Sequence, residues 1–192
     1  MRKITMLNRI SIDGYFASLN DAAFGMDWFM PDPEVDIAVR SGDGQMDTLI
    51  LGGITYRGFE SHWAPMIKDP HAPKELKAIA EELTNMTKIV FSKKMKQSAW
   101  ANTLLFDGNP GEVVRKIKKE EGSGILIMGS GTIVQQLANE GLIDEYVFIV
   151  TPVVAGKGKP LFKEVKQFGL TMKESLAFKS GHLVLRYESK IV

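Results

Sequence analysis

Two short segments of the chain place glycine directly after an apolar run, a pattern that can bind anions. Leu51-Gly52-Gly53-Ile54-Thr55-Tyr56 and Met128-Gly129-Ser130-Gly131-Thr132-Ile133 both have this form. A strand followed by a glycine turn and a helix exposes unpaired backbone N–H groups at the positive end of the helix dipole. Two such turns in one domain suit a ligand with two phosphates. The alternative is that glycine only permits close packing of a helix on a sheet.

Neither turn matches a well-defined nucleotide fingerprint. After Gly129, Val134 occupies the third glycine position of the dinucleotide motif, and Asp144 comes too early for the acidic residue about 20 positions beyond. The segment Gly156-Lys157-Gly158-Lys159-Pro160 has proline where a phosphate-binding loop needs serine or threonine for magnesium. The sequence therefore argues against nucleoside triphosphate hydrolysis.

A third apolar run ends in Phe91-Ser92-Lys93-Lys94, with one hydroxyl and two ammonium groups. Lysine attracts phosphate as a point charge, so this strand end is a candidate for a further phosphate contact. The alternative is an ordinary solvated turn, where lysine is usually found.

Composition excludes several classes of partner. The 192 residues include 24 Lys+Arg and 23 Asp+Glu, a net charge of +1 without the basic excess of nucleic-acid binding proteins. The chain has no cysteine, and His62, His71 and His182 are never three or four residues apart, which argues against a metal site. No run approaches the ~18 apolar residues that span a bilayer. We predict a cytoplasmic protein with no metal, nucleic-acid or membrane partner.

Strand and helix patterns alternate along most of the chain. Apolar strand patterns cover 3–12, 48–51, 88–91, 103–106, 125–128 and 146–150, and helix patterns cover 33–39, 73–83, 110–122 and 132–139. Segments 24–34 and 59–71 are predicted loops. The last third contains two alternating segments around Lys179-Ser180-Gly181, typical of a hairpin. The sequence predicts one α/β domain, 1–192, with a mixed, mostly parallel sheet, flanking helices and an antiparallel C-terminal hairpin.

The order of motifs resembles a known family. Marks of that family are Ser11-Ile12-Asp13-Gly14, the Gly52 turn, the Gly129 turn, Gly141-Leu142-Ile143-Asp144-Glu145, Thr151-Pro152-Val153-Val154 and Gly156-Lys157-Gly158-Lys159-Pro160-Leu161-Phe162. This succession is similar to the reductase domain of bifunctional riboflavin-biosynthesis deaminase-reductases and their stand-alone relatives, which share the dihydrofolate-reductase-like fold. The resemblance covers nearly the whole chain and implies a pocket for NADPH.

The resemblance also implies where the cofactor lies. The turns at 52–56 and 129–133 resemble the two helix starts that hold its pyrophosphate. Ser92 and Lys93 resemble positions near the adenosine 2′-phosphate, and the backbone of Leu7 and Asn8 resembles the stretch that faces the nicotinamide.

One position departs from the family pattern. Gly53 stands where many relatives have an arginine that reads the 2′-phosphate. The departure weakens the expected preference for NADPH over NADH unless Lys93 or Lys94 replaces that arginine.

Asp13 is the candidate proton donor, because it resembles the family's aspartate that faces cofactor and substrate. The alternatives are that Asp13-Gly14 only forms a turn and that water supplies the proton. Counting back from the Gly52 turn places Asp36 near the carboxylate that folate reductases use. Asp36 is equally explained as an exposed helix residue.

Tyr15, Trp28 and Pro152 are the candidates for the substrate side. Trp28, with Phe29 and Met30 beside it, could form one wall of a pocket for a planar ligand. The alternative is a small hydrophobic cluster beneath a long loop, and the same choice applies to Tyr15. His62-Trp63 could border the pocket or lie in a surface loop.

The resemblance, together with these turns, implies an NADPH-dependent reductase of a small planar or carbonyl-containing substrate, pterin-like or pyrimidine-riboside-like. The alternative is a non-catalytic module that binds a nucleotide or pterin. A riboflavin-pathway reduction is a narrower option, and the residues of a zinc deaminase are absent. Members of this family commonly pair through their sheets, so the resemblance implies a homodimer with the apolar run 147–154 as its contact surface. The alternative is that this run is an interior strand.

Overall fold

The computed structural model describes residues 1–42 and 44–190, and its elements there are ten strands, five α-helices and one short 3-10 helix, Asp21–Ala23. The strands are β1 Ile4–Ser11, β2 Tyr15–Ala17, β3 Met46–Gly52, β4 Thr87–Phe91, β5 Thr103–Phe106, β6 Gly124–Met128, β7 Glu145–Thr151, β8 Lys159–Pro160, β9 Leu170–Ala177 and β10 Leu183–Ser189. The helices are α1 Pro33–Gly42, α2 Gly53–Met66, α3 Lys74–Asn85, α4 Pro110–Ile117 and α5 Gly131–Asn139.

Eight strands form one mixed sheet in the order β5-β4-β3-β6-β1-β7-β10-β9. The first six are parallel, and β10 is antiparallel to both β7 and β9. The predicted α/β class, the mostly parallel sheet and the C-terminal hairpin are therefore confirmed. Because β7 lies between β1 and β10, the apolar run that begins at Val147 belongs to an interior strand. A separate two-stranded sheet, β2 with β8, was not predicted.

Helices cover both faces of the sheet, since successive side chains of a buried strand point in opposite directions. Ile50 packs with α4 and α5, whereas Leu49 and Leu51 pack with α1, α2 and α3. Both faces of the central strands are therefore apolar, which explains their uninterrupted runs of Ile, Leu and Val.

Two helix starts follow the predicted signals. The side chain of Asn109 accepts a hydrogen bond from Gly111 N at 2.8 Å, and Pro110 is the first residue of α4. Helix α3 begins after Pro73 and buries Ala80 and Leu83, as its spacing predicts.

Helix α3 ends on a buried lysine that the apolar strand pattern did not reveal. Lys88 on β4 is fully buried, and its ammonium donates hydrogen bonds to the carbonyls of Leu83, Thr84 and Met86 at 2.7–2.9 Å. The same group lies 4.7 Å from the ring centre of Trp100. These contacts satisfy carbonyl groups that a helix end leaves without partners. Burial lowers the pKa of Lys88 to about 8.

The loop predicted over 59–71 is wrong in its first half. Helix α2 continues to Met66 and contains Pro65 in its last turn, where proline interrupts few backbone hydrogen bonds. No helix within the described residues is long and apolar enough to cross a bilayer.

Candidate functional site

An open cleft of about 1310 Å³ runs along the carboxyl ends of the parallel strands. Its floor contains the last residues of four adjacent strands, Phe106, Phe91, Gly52 and Met128, and Asn8 of the neighbouring strand β1. Crevices at the carboxyl ends of strands are the usual ligand sites of open α/β sheets. The volume exceeds the range of about 300–1,000 Å³ that is common for a single small ligand. The cleft therefore has room for two ligands side by side.

The two glycine turns meet at the middle of this cleft. The backbone N–H of Gly52 donates to Ser130 Oγ at 2.5 Å, and Ser130 Oγ donates to Thr55 Oγ1 at 3.1 Å. One hydroxyl thus joins segments 78 positions apart. The amino ends of α2 and α5 consequently face the same space.

Glycine is required where the turns touch. A Cβ on Gly52 would lie 2.8 Å from Ser130 Oγ, and a Cβ on Gly129 would lie 2.7 Å from Thr55 Cγ2. Gly129 also has a φ of +64°. Ser130 beside it has a φ of +60°, a left-handed value that residues other than glycine seldom adopt. Non-glycine residues with a left-handed backbone conformation are concentrated at functional sites. Close packing and an exposed helix start therefore occur together in this turn.

Asn8 connects β1 to the Gly129 turn. Its Oδ1 accepts a hydrogen bond from Gly129 N at 2.9 Å. The ladder between β1 and β6 ends at the pair Leu7–Met128, so the edge of Asn8 that faces β6 lies beyond paired backbone. Leu7, Asn8 and Met128 all line the cleft.

At the opposite end of the cleft, β4 and β5 end side by side. Ser92 Oγ accepts from the backbone of Lys94 and Met95 at 3.3 and 3.1 Å, which forms a tight turn after β4. Lys93 lines the cleft, whereas Lys94 lies outside the lining, as does every residue of that turn beyond Lys93. Asp107, after β5, also lines it and was not among the predicted site residues.

Beyond the strand ends the cleft continues into an apolar slot between helices α1, α2 and α3. The slot is lined by Val39, Phe59, Trp63, Ile79, Leu83 and Met86. His62 packs edge-on against Trp63 with ring centres 4.8 Å apart, and both belong to α2 rather than to a loop. The sequence pattern did not identify this slot, because its walls come from three separate helices.

An ion pair borders the slot. Arg9 on β1 pairs with Asp36 on α1, and its guanidinium lies 4.6 Å from the ring centre of Phe29. Burial lowers the pKa of Arg9, and the charges of Asp36 and Asp32 oppose that shift. Arg9 was missed, although alternation with Leu7 along β1 would have directed it toward the same face.

Behind this pair lies a Ser-His-Asp cluster that is not a nucleophilic triad. The Ser180 hydroxyl donates to Asp32 and contacts His182 Nδ1 at 3.0 Å, and Asp32 lies 4.0 Å from that same nitrogen. A triad needs serine and aspartate on opposite ring nitrogens. Asp32 also accepts from the backbone of Glu34 and Val35, so the cluster anchors the hairpin turn to the start of α1. Burial, and then the Arg9 charge, lower the pKa of His182.

The structure places Asp13 outside the cleft lining, on the exposed turn after β1. Its carboxylate accepts hydrogen bonds from Ala155 N at 2.9 Å and Gly156 N at 2.7 Å. The Ser11 hydroxyl, followed by these amides, holds the pKa of Asp13 below its usual value. A carboxylate held in its ionised form is a poor proton donor. These contacts fit the alternative in which Asp13-Gly14 forms a turn.

Five further predicted residues also lie outside the cleft lining. Leu51 and Tyr56 are fully buried beneath it, with the Tyr56 hydroxyl donating to Glu60 at 2.8 Å. Tyr15 belongs to β2, and Trp28 and Pro152 are half-buried residues outside the helices and strands. The remaining predicted cofactor residues line the cleft, and they are Leu7, Asn8, Gly52, Gly53, Thr55, Ser92, Lys93, Met128, Gly129, Ser130, Gly131, Thr132 and Ile133.

Comparison with known proteins agrees with this architecture. The chain is 31% identical over 188 residues to the Bacillus subtilis (strain 168) protein YyaP, a match that covers 97% of this chain and 94% of YyaP. It superposes with a TM-score of 0.72 and 22% identity on a Shewanella sp. PV-4 protein described as a riboflavin biosynthesis protein, over 98% and 99% of the two chains.

A bifunctional enzyme has the same fold in one part of its chain. The Thermotoga maritima diaminohydroxyphosphoribosylaminopyrimidine deaminase/5-amino-6-(5-phosphoribosylamino)uracil reductase superposes with a TM-score of 0.64 and 13% identity, over 98% of this chain and 56% of that one. The model of the RibD C-terminal domain matches residues 2–184. The chain therefore belongs to the RibD C-terminal domain family, a reductase-like family with the dihydrofolate-reductase-like fold.

Proposed function

We propose that this protein is an NADPH-dependent reductase of a small planar or carbonyl-containing molecule. The observation that carries the proposal is the contact between the two glycine turns, which aims the amino ends of α2 and α5 at one point of the cleft. Neither helix has an acidic residue in its first turn to neutralise the positive end of its dipole. This arrangement suits a diphosphate.

The strand order supports an extended dinucleotide. The diphosphate site lies over β3 and β6, in the middle of the cleft, which leaves β4 and β5 on one side and β1 on the other. From β5 to β1 the strand ends span about 19 Å at the usual spacing of ~4.8 Å. One nucleoside can occupy each side, with the adenosine over β4 and β5 and the nicotinamide over β1 beside Asn8.

The apolar slot next to β1 is the proposed substrate site. Phe59, Trp63 and Ile79 line the slot with apolar side chains that a planar ring can pack against with water excluded. Arg9 and Asp36 provide hydrogen-bonding groups at the border of the slot. The reduced nicotinamide supplies a hydride when it is bound. Water supplies the proton, because Asp13 lies outside the cleft lining and is held ionised.

Equilibrium titration with NADPH tests the cofactor. We expect saturable quenching of tryptophan emission, since Trp63 lines the cleft. Absence of saturable binding at high micromolar NADPH contradicts the proposal. Oxidation of NADPH against pterins, deaminated pyrimidine ribosides and quinones then separates the enzyme from a non-catalytic module, which binds NADPH without oxidising it. The position of Asp13 outside the cleft lining is the observation that favours the non-catalytic module.

A further inference from the structure

Neighbouring strand ends at the proposed adenosine side of the cleft have opposite charges. Phe91 pairs with Phe106, and Ser92 N donates to Phe106 O at 2.9 Å just beyond the ladder. The next residues, Lys93 after β4 and Asp107 after β5, are both exposed and both line the cleft. Because adjacent strands lie ~4.8 Å apart, a cation and a carboxylate flank the same part of the cleft.

Lys93 differs from the other cations of the cleft. Arg9, Arg40, Lys159 and Lys163 also line it, and each has a carboxylate within 4.0 Å. In the described parts of the chain, Lys93 is the one lysine or arginine of the lining without such an ion pair. Its charge is therefore available to a ligand.

Gly53, the first residue of α2, contributes no side chain to this end. A Cβ on Gly53 would lie 2.7 Å from Ser92 Oγ and 3.3 Å from Met95 Sδ. The turn after β4 therefore approaches the start of α2 too closely for a residue larger than glycine at this position. Recognition at this side depends instead on the residues that follow β4 and β5.

We propose that Asp107 is a specificity-determining residue that opposes Lys93 in recognition of the adenosine ribose. Lys93 attracts a 2′-phosphate as a point charge. Asp107 repels that phosphate, and it accepts a hydrogen bond from the free 2′-hydroxyl of the unphosphorylated cofactor, the role that acidic residues have in other dinucleotide sites. The opposed charges make the protein bind NADH and NADPH with dissociation constants within about tenfold of each other. The inference rests on the proposed function.

Dissociation constants of NADH and NADPH, measured by calorimetry, test this assignment. Asp107→Asn is expected to tighten NADPH binding about fivefold and to leave NADH unchanged or weaker, whereas Lys93→Gln weakens NADPH about fivefold, since exposed charge pairs contribute up to ~1 kcal/mol. Lys94→Gln and Glu112→Gln are matched controls, because both residues are exposed and lie outside the cleft lining. They should keep the wild-type ratio. The Asp107 effect should shrink as salt increases.

The outcomes separate the two proposals. If both dinucleotides bind and Asp107→Asn leaves their ratio unchanged, the role of Asp107 is overturned while the reductase proposal stands. The role is also overturned if the control variants shift the ratio as much as Asp107→Asn does. If neither dinucleotide binds to the wild-type protein, both proposals fall. Thermal unfolding of each variant verifies that it folds.

Discussion

The two halves of the cleft are built in different ways. At the two glycine turns, backbone groups and glycines contribute much of the surface, and hydrogen bonds such as Gly52 N to Ser130 Oγ set their positions. In the slot, side chains from α1, α2 and α3 form an apolar surface, with Phe59, Trp63 and Ile79 among them. A surface of backbone groups tolerates almost no substitution, because a Cβ already collides. A surface of side chains can change with its ligand, so we expect the strand ends to fix the cofactor and the slot to fix the substrate.

The strongest test of this contrast is Gly129→Ala. The substitution forces a left-handed φ on alanine and places its Cβ 2.7 Å from Thr55, which separates the two turns. We expect the dissociation constant of NADPH to rise more than about tenfold, with a stability loss of about 1–3 kcal/mol.

Gly141→Ala is the matched control. Gly141 has nearly the same φ, +63°, but a Cβ there meets nothing within 4 Å. The control should lose about 1 kcal/mol of stability and keep its affinity for NADPH. Equal loss of affinity in both variants would contradict a local role for the Gly129 turn.

The converse test is Trp63→Ala in the slot. Removing this half-buried side chain deletes one apolar wall, so the KM of the best acceptor from the panel should rise about tenfold. The dissociation constant of NADPH should stay the same. A parallel loss of cofactor affinity would show that the halves are not separate.

Those two tests concern regions that the sequence predicted unequally. The glycine turns are local patterns, so the chain order around Gly52 and Gly129 was enough to predict the succession of strand, turn and helix. The slot depends on the packing of three helices, and nothing in the spacing of Phe59 or Ile79 indicates that they meet. Pro65 further concealed the end of α2, because proline is more common in loops than in a last helical turn.

Asp13 shows a different limit of sequence reasoning. Its family motif was recognised correctly, but its contacts lie with the amides of Ala155 and Gly156, more than 140 positions away. A motif identifies a turn, and only the tertiary structure shows which groups the turn's carboxylate meets.

A third prediction concerns the support beneath the slot, where Lys88 closes the end of α3. The pKa of Lys88 is about 8 in the folded protein, below its unfolded value of about 10.4, so the unfolded state binds more protons between these values. The free energy of unfolding should therefore rise by about 1–3 kcal/mol from pH 8 to 10 relative to Lys88→Met, with carbonyl acceptors opposing part of the shift. Denaturant unfolding at several pH values measures it, and parallel curves would contradict it.

The smallest effect is expected for Asp13→Asn. Because the folded pKa of Asp13 is lowered, its stabilising contribution is present above pH ~4 and is lost as the pH falls through the folded value. The variant should unfold at a slightly lower temperature at neutral pH, and the difference should vanish in acid. Its turnover should stay within about twofold of wild type, whereas a proton donor contributes about 100-fold or more.

The bridge from Gly52 to Ser130 has a consequence for the whole molecule. The two partners belong to separate strand–helix units, so no fragment that contains one unit can form the paired glycine turns by itself. A cofactor that binds there stabilises the whole protein against unfolding, because its site exists only when both units are folded. It should therefore raise the melting temperature of the entire sheet, which should still unfold in one cooperative transition.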